Sequence, residues 1–406
     1  MLFGAGNLVF PPFLGMNSGN NWFWGFQGYA IMDIIFAMIA MIIISNKDNA
    51  ADGIVGILGN KLSKFLMFMV YLCIGPLVAI PRTAATTFGL SVETLFPQLN
   101  SIIFSIIFFG IVLFLSIKPS NIIDIIGSIL APVLLITIGI LIIKGVLYPI
   151  GTITNGNTIY TSIKDGIMAG YQTMDTIAML VFSIIIISKI KDYKLENEQQ
   201  EKKMIRYSCL IAGTALFLIY AGLTYLGATA SSIYPKDSNR TFIIVNLAKD
   251  ILGSYGFIIL AVIVALACLT TAIGLVSSCS AYFSKLFNQK ISYKTFCVII
   301  CVFSAIFCNT GLDYIIAFAA PILDFIYPIV LLLIILSVIP EEKIPVITRY
   351  GAIISVTAFV IVQLIENLTH ISNITAEIPL ASYGYGWIIP AIIGLIIGKI
   401  ADIIAE

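Results

Sequence analysis

The chain has 406 residues, of which 59% are hydrophobic and only 11% charged. Soluble domains carry about 25% charged residues because their surfaces face water, so most of this surface must face lipid. The 22 Lys and Arg residues offset 21 Asp and Glu, which gives no basic footprint for nucleic acid, and the single histidine, His370, excludes any site built from several imidazoles.

Apolar runs separated by charged loops predict an all-α polytopic membrane protein of about twelve transmembrane helices. In chain order they cover about 1–15, 22–45, 62–88, 99–117, 122–147, 166–188, 205–229, 254–284, 294–310, 312–339, 346–367 and 384–404. No basic n-region precedes the first of them, so no signal peptide is expected. With both termini in the cytoplasm, the inner loops and tails hold 16 Lys and Arg, from Lys47 to Lys399. The outer loops hold five, Lys144, Lys164, Lys236, Arg240 and Lys249, and Arg82 lies within a span. This bias follows the positive-inside rule and requires an even number of spans.

Span one opens with Gly4-Ala5-Gly6-Asn7-Leu8-Val9-Phe10-Pro11-Pro12. Two glycines and two prolines in nine residues predict an irregular segment rather than a regular helix. Prolines 76, 81, 132, 321, 328 and 390 mark possible kinks and carry little further information. Span six holds a second expected break at 166–175, with Gly166, Gly170, Gln172, Thr173 and the acid Asp175. Two interrupted helices five spans apart point to a transporter built from inverted repeats, with its site where the unwound backbone meets. On that reading 1–406 is one transmembrane domain. Repeat one spans about 1–147, repeat two about 166–339, and two extra helices occupy 346–404.

Asp175 is the leading ionisable candidate: it can ligate a cation, carry a proton, face a substrate amine or cap the second half of span six. Asp33, Asp124, Asp324 and Arg82 rank below it: Asp124 reads as an entry-turn acid, and Asp33 and Asp324 are expected in structural pairing with Arg82 or with polar groups of the bundle. The loop 189–206 is a solvated connection, and 231–249 is expected to carry a short interfacial helix. In span eight, adjacent Thr270 and Thr271 can complete an oxygen shell for sodium, or each can bond back to its own helix. The cysteines at 73, 209, 268, 279, 297, 301 and 308 lie in apolar stretches without metal-ligand spacing and read as packing residues.

These motifs resemble a known family. The opening Gly4–Pro12 motif, Ile74-Gly75-Pro76-Leu77-Val78-Ala79-Ile80-Pro81-Arg82-Thr83-Ala84, Gly170-Tyr171-Gln172-Thr173-Met174-Asp175-Thr176 and Ala267-Cys268-Leu269-Thr270-Thr271-Ala272-Ile273-Gly274-Leu275 are similar, in order, to motifs of the branched-chain amino acid:cation symporters, the BrnQ or LIV-II carriers. The resemblance implies a bacterial inner-membrane importer of leucine, isoleucine and valine driven by Na+ or H+, with no other cofactor. It also implies the LeuT-type fold, a 5+5 inverted repeat with helices one and six broken. More distantly, Gly6-Asn7-Leu8-Val9-Phe10-Pro11 is similar to the first-helix motif of the neurotransmitter:sodium symporters, which implies Asn7, Thr270, Thr271 and, by position, Asp175 as Na+ ligands.

The family has about half a helix ahead of this motif, so the resemblance implies a first half-helix truncated here, by a late start assignment or in an impaired product. Gly89 stands where many members have Glu. The substrate carboxylate is expected on backbone N–H groups near Gly4 and Gly6, with Gly170 at the second break and the apolar side chain against Tyr71, Met174 and Ile177. The partners are then an amino acid and the bilayer; oligomeric state is not readable. An enzyme is not expected: His370 has no nucleophile motif beside it, and an aspartyl protease would need Asp175 to face an acid such as Asp324. The more realistic alternative is another small solute on the same fold.

Overall fold

The computed structural model describes residues 2–46, 52–117, 131–340, 343–369 and 374–405. Asp124 and His370 lie outside these residues, as does the beginning of the fifth expected span.

Lipid offers no hydrogen bonds to the backbone, so apolar sequence must satisfy its own N–H and C=O groups as helix. Among the described residues, eight helical runs are long and apolar enough to cross a membrane. They are spans two (Trp22–Ser45), three (Gly56–Val92), six (Ile159–Asp192), seven (Glu198–Ser232), eight (Gly256–Leu286), nine (Tyr293–Thr310), ten (Leu312–Val338) and eleven (Val346–Asn367). Spans one (Ala5–Ser18), four (Ser101–Ser116), five (Ala131–Leu147) and twelve (Ile388–Ala405) complete the expected order. Polar residues at the boundaries set several starts: the side chains of Asn100, Thr158, Asn197, Asn239 and Ser292 each accept a first-turn backbone N–H. The connection between spans seven and eight carries the helix Arg240–Leu252. All seven cysteines are buried and free, in keeping with packing roles.

Two local expectations need correction. Span one is regular helix from Ala5 onward, with Pro11 and Pro12 inside it; residues 2–4 ahead of it are not helical, and Gly4 is extended. The prolines remove two backbone donors and so free the carbonyls of Asn7 and Leu8, but they do not break the helix. Span six is regular from Ile159 to Thr173, seven residues before its expected start, and its break falls within the expected 166–175 segment but is confined to the single residue Met174 at φ 72°, ψ 11°.

The glycines of span six serve packing instead. A Cβ on Gly166 would stand 2.0 Å from the carbonyl oxygen of Gly25 in span two. Span seven meets span one in the same manner, since a Cβ on Gly227 would stand 2.0 Å from the carbonyl oxygen of Pro12. These two contacts, one–seven and six–two, exchange when every span index is shifted by five. Span three packs against span eight, a contact that the same shift maps onto itself. Spans one, two, six and seven therefore form one bundle, and spans three, four, eight and nine form a second group beside it.

Spans eleven and twelve pack on each other at the periphery. The connection between them returns to span six. Tyr171 donates its hydroxyl proton to the Gly384 carbonyl at 3.2 Å and accepts one from Trp387 Nε1 at 3.4 Å. Its ring stacks on Tyr327 of span ten at 4.6 Å.

Candidate functional site

The start of span one, the break in span six, span three and span eight converge on a small internal cavity of about 20 Å³. Its polar lining includes Asn7, Arg82, Thr173, Asp175 and Thr271, and its apolar lining includes Ile74, Met174, Ala178, Phe182 and Leu275. A void of this size has room for about one water molecule, so an amino acid enters only if the spans part.

Asn7 is the centre of the polar side. Its Nδ2 donates to Asp175 Oδ2 at 2.9 Å and to Tyr220 Oη at 2.7 Å, and lies 3.4 and 3.5 Å from the two Asp33 oxygens. Its Oδ1 accepts from the Gly4 N–H at 3.2 Å. Two carboxylates from spans two and six thus share one amide, and both are buried, Asp33 at 1% exposure and Asp175 at 5%. Asp33 sits in a π-helical turn, Ile31–Ile35, in the middle of span two. Such turns re-aim a side chain at the cost of backbone regularity and are frequent at functional sites.

Met174 takes the left-handed conformation that lets span six change course in one residue. The helix before it ends in carbonyls without intrahelical partners, and the helix after it begins in free N–H groups. Asp175 is the first residue of the second half, where a carboxylate is favoured by the helix dipole. Arg82 covers the other end. Its Nη1 donates to the Gln172 carbonyl at 2.6 Å and its Nη2 to the Thr173 carbonyl at 3.0 Å. A buried cation on the last carbonyls of a helix is the complementary arrangement. The backbone oxygens that a break would offer to a metal ion on this side are therefore already engaged by a guanidinium.

Of the residues singled out from sequence, Gly4, Asn7, Met174, Asp175 and Thr271 line the cavity. Gly6 lies beside it, where a Cβ would be 3.3 Å from Arg82 Nη2. The other four stand elsewhere. Gly170 faces span two, 2.6 Å from Met32 Cβ by the same construction. Ile177 is fully buried away from the cavity lining. Thr270 donates back to the Ala267 carbonyl at 2.9 Å, whereas Thr271 donates at 3.4 Å to the Phe3 carbonyl across the site. Tyr71 stacks on Tyr282 of span eight at 3.8 Å.

That stacked pair marks the head of a second, larger cavity of about 910 Å³ between spans three, six and eight, bordered by Asn60, Lys64, Val181, Ile184 and Lys285. It approaches the small cavity from the side that carries Lys64 and Lys285. At the other end, the turn after span one is stitched to the connection between spans five and six. Asn20 N–H donates to the Thr154 carbonyl at 3.0 Å and Asn157 N–H to the Asn17 carbonyl at 2.9 Å. One side of the site is closed by backbone bonds while the other has a vestibule one helical turn away.

Asp33 and Arg82 are the residues that sequence reading undervalued. Of the two partners expected for Asp33, the structure shows a polar group of the bundle rather than Arg82: it joins Asp175 on Asn7. Asp324 does not join Asp175 in this cluster. Both Asp33 and Arg82 carried a usable signal as ionisable groups inside apolar spans, but the π turn that aims Asp33 and the kink at Gly75 that positions span three have no such signature.

Residues 1–405 match the family described as branched-chain amino acid transport protein. Two Staphylococcus aureus proteins, from strains bovine RF122 / ET3-1 and USA300, are 36% and 35% identical over 428 residues, covering 100% of this chain and 95% of their own. Both are provisionally named branched-chain amino acid carrier proteins. Among solved structures, the chain is similar to Mhp1, a nucleobase-cation-symport-1 family transporter in a closed conformation with bromovinylhydantoin bound. The TM-score is 0.57 at 12% identity, covering 98% of this chain and 89% of that one; the likeness is one of fold. With its sequence matched end to end and its spans crossing at one buried polar site, the chain belongs to the family of branched-chain amino acid transport proteins.

Proposed function

We propose that this protein is a secondary active symporter that imports leucine, isoleucine and valine together with one monovalent cation, Na+ or H+, by alternating access. The observation that carries this reading is the charge content of the buried cavity region. Asp33 and Asp175 supply two negative charges when ionised, and Arg82 supplies one positive charge. A zwitterionic amino acid adds no net charge, so one cation completes neutrality in a medium where an uncompensated charge is costly. Asp175 faces the substrate ammonium group, and the cation is taken at the Asp33–Asp175 pair, with Thr271 at its edge. The apolar lining then receives the branched side chain, whose burial contributes about 1.5–3 kcal/mol.

Movement follows from the packing. The bundle of spans one, two, six and seven rocks against spans three, four, eight and nine, with the two repeats at about 1–147 and 166–339. The vestibule beside Lys64 and Lys285 is the inward path, which puts both termini in the cytoplasm of a bacterial cell and agrees with the distribution of loop charge.

Reconstitution into liposomes tests the reading. Labelled leucine should accumulate above equilibrium under an imposed Na+ gradient or an imposed pH gradient, and Asp175→Asn should abolish accumulation. Leucine that merely equilibrates under both gradients would reject symport.

A further inference from the structure

We infer that Arg82, together with the first turn of span one, is the anchor for the substrate's carboxylate group. The inference rests on amino acid transport as the function and names a binding residue for it. Arg82 is 6% exposed and lines the small cavity. A guanidinium carries five N–H donors in a fixed fork. Two bonds tie its Nη1 and Nη2 to the end of the first half of span six, which holds the fork rigid. Its Nε is buried without a hydrogen-bond partner among the described residues. A buried donor left unpaired costs stability, and a carboxylate entering the cavity relieves that cost.

The second component comes from span one. This is a helix of 14 residues whose first turn borders the cavity, and helix N-termini attract anions through free N–H groups and the dipole. The Gly4 N–H is engaged by Asn7 Oδ1, which leaves the N–H groups of the following residues. Gly6 brings that turn against the guanidinium: a Cβ there would stand 3.3 Å from Arg82 Nη2. The two anion-attracting groups of the cavity therefore meet at one place, and Asp175 supplies the opposite charge for the ammonium group. The ligand chemistry selected is an α-amino acid with a free carboxylate, rather than an amine or an amide of the same shape.

The test is competition against labelled leucine uptake in liposomes, using leucine, leucinamide and 3-methylbutylamine as competitors. Wild-type protein should prefer leucine to both by about 100-fold, since a charge-assisted hydrogen bond and a buried donor are both at stake. Arg82→Gln should raise the KM for leucine by about 10- to 100-fold while changing inhibition by the amine less than about threefold, so that the preference collapses. Arg82→Lys, which keeps the charge but not the fork, should fall between them. A variant that weakens leucine and the amine equally would show a structural role and overturn the inference. Should neither variant be recovered folded, the wild type decides alone: equal inhibition by leucine and 3-methylbutylamine also overturns it. Loss of leucine uptake in the wild type would instead reject the transport reading itself.

Discussion

Replacing Gly166 or Gly227 by alanine tests whether the two helix pairs are held by backbone contact. In each case the new Cβ would stand 2.0 Å from a carbonyl oxygen of the neighbouring span. Ordinary contact begins near 3.4 Å, so the helices must separate by up to about 1.4 Å, because a backbone oxygen cannot rotate away. Overpacking of this kind costs about 1–3 kcal/mol. An internal helical alanine recovers about 1 kcal/mol over glycine, which leaves each variant destabilised by up to about 2 kcal/mol. Gly139→Ala in span five is the control, because nothing lies within 4 Å of its added methyl, and it should gain the propensity term alone. The readout is the apparent Tm of purified protein in one detergent at one scan rate, since unfolding of a membrane protein is judged by rank rather than by equilibrium. Both interface variants should melt several degrees below wild type, and Gly139→Ala at or above it. The double variant should show the sum, as the sites share no partner. If Gly166→Ala and Gly227→Ala melted with the control, the close approach of spans six and two and of spans seven and one would be wrong.

Other positions give sharper tests of the site. At Met174 the usual order should invert: Met174→Gly should be more stable than Met174→Ala by about 1 kcal/mol in Tm-derived ranking, because the left-handed backbone penalises any Cβ. Asn7→Leu removes the amide shared by Asp33 and Asp175, so the cation concentration for half-maximal leucine uptake should fall. A rise would instead show that Asn7 ligates the cation through its oxygen. Thr270→Val should leave that concentration within about twofold of wild type, since its hydroxyl serves only its own helix. Thr271→Val should raise it by about tenfold, read from uptake at graded Na+ or pH.

The order of spans was legible because lipid imposes a length and a composition on every crossing segment; their exact starts were less so, since span seven begins at Glu198 behind the Asn197 cap, seven residues before its expected start. The convergence of span one with spans six and eight was legible for Asp175 and Thr271 as polar residues in otherwise apolar helix, and for Asn7 through the resemblance of its motif. The local backbone was not. Glycine permits both unwinding and close packing, and nothing in the sequence around Gly166 and Gly170 distinguishes the two until span two is placed against them. Met174 is an unlikely residue for a left-handed turn, so the actual break carries no local mark. Pro11 and Pro12 mislead in the opposite sense: a helix can keep its path past them when its neighbours hold it, here through the contact of Gly227 with the Pro12 carbonyl. Side chains aimed by a π turn or a kink, such as Asp33 and Arg82, depend on geometry that propensity does not encode.

The aromatic strap between spans eleven and twelve has a mechanical consequence. By holding Tyr171 through Gly384 and Trp387, it yokes the outermost helices to the residue three places before the left-handed hinge. On the alternating-access reading proposed above, strain on those helices, from thinner or thicker lipid or from a neighbouring protein, would reach the Met174 hinge rather than stay at the rim. The rate of leucine uptake should then respond to bilayer thickness, a dependence read by reconstitution in lipids of graded chain length.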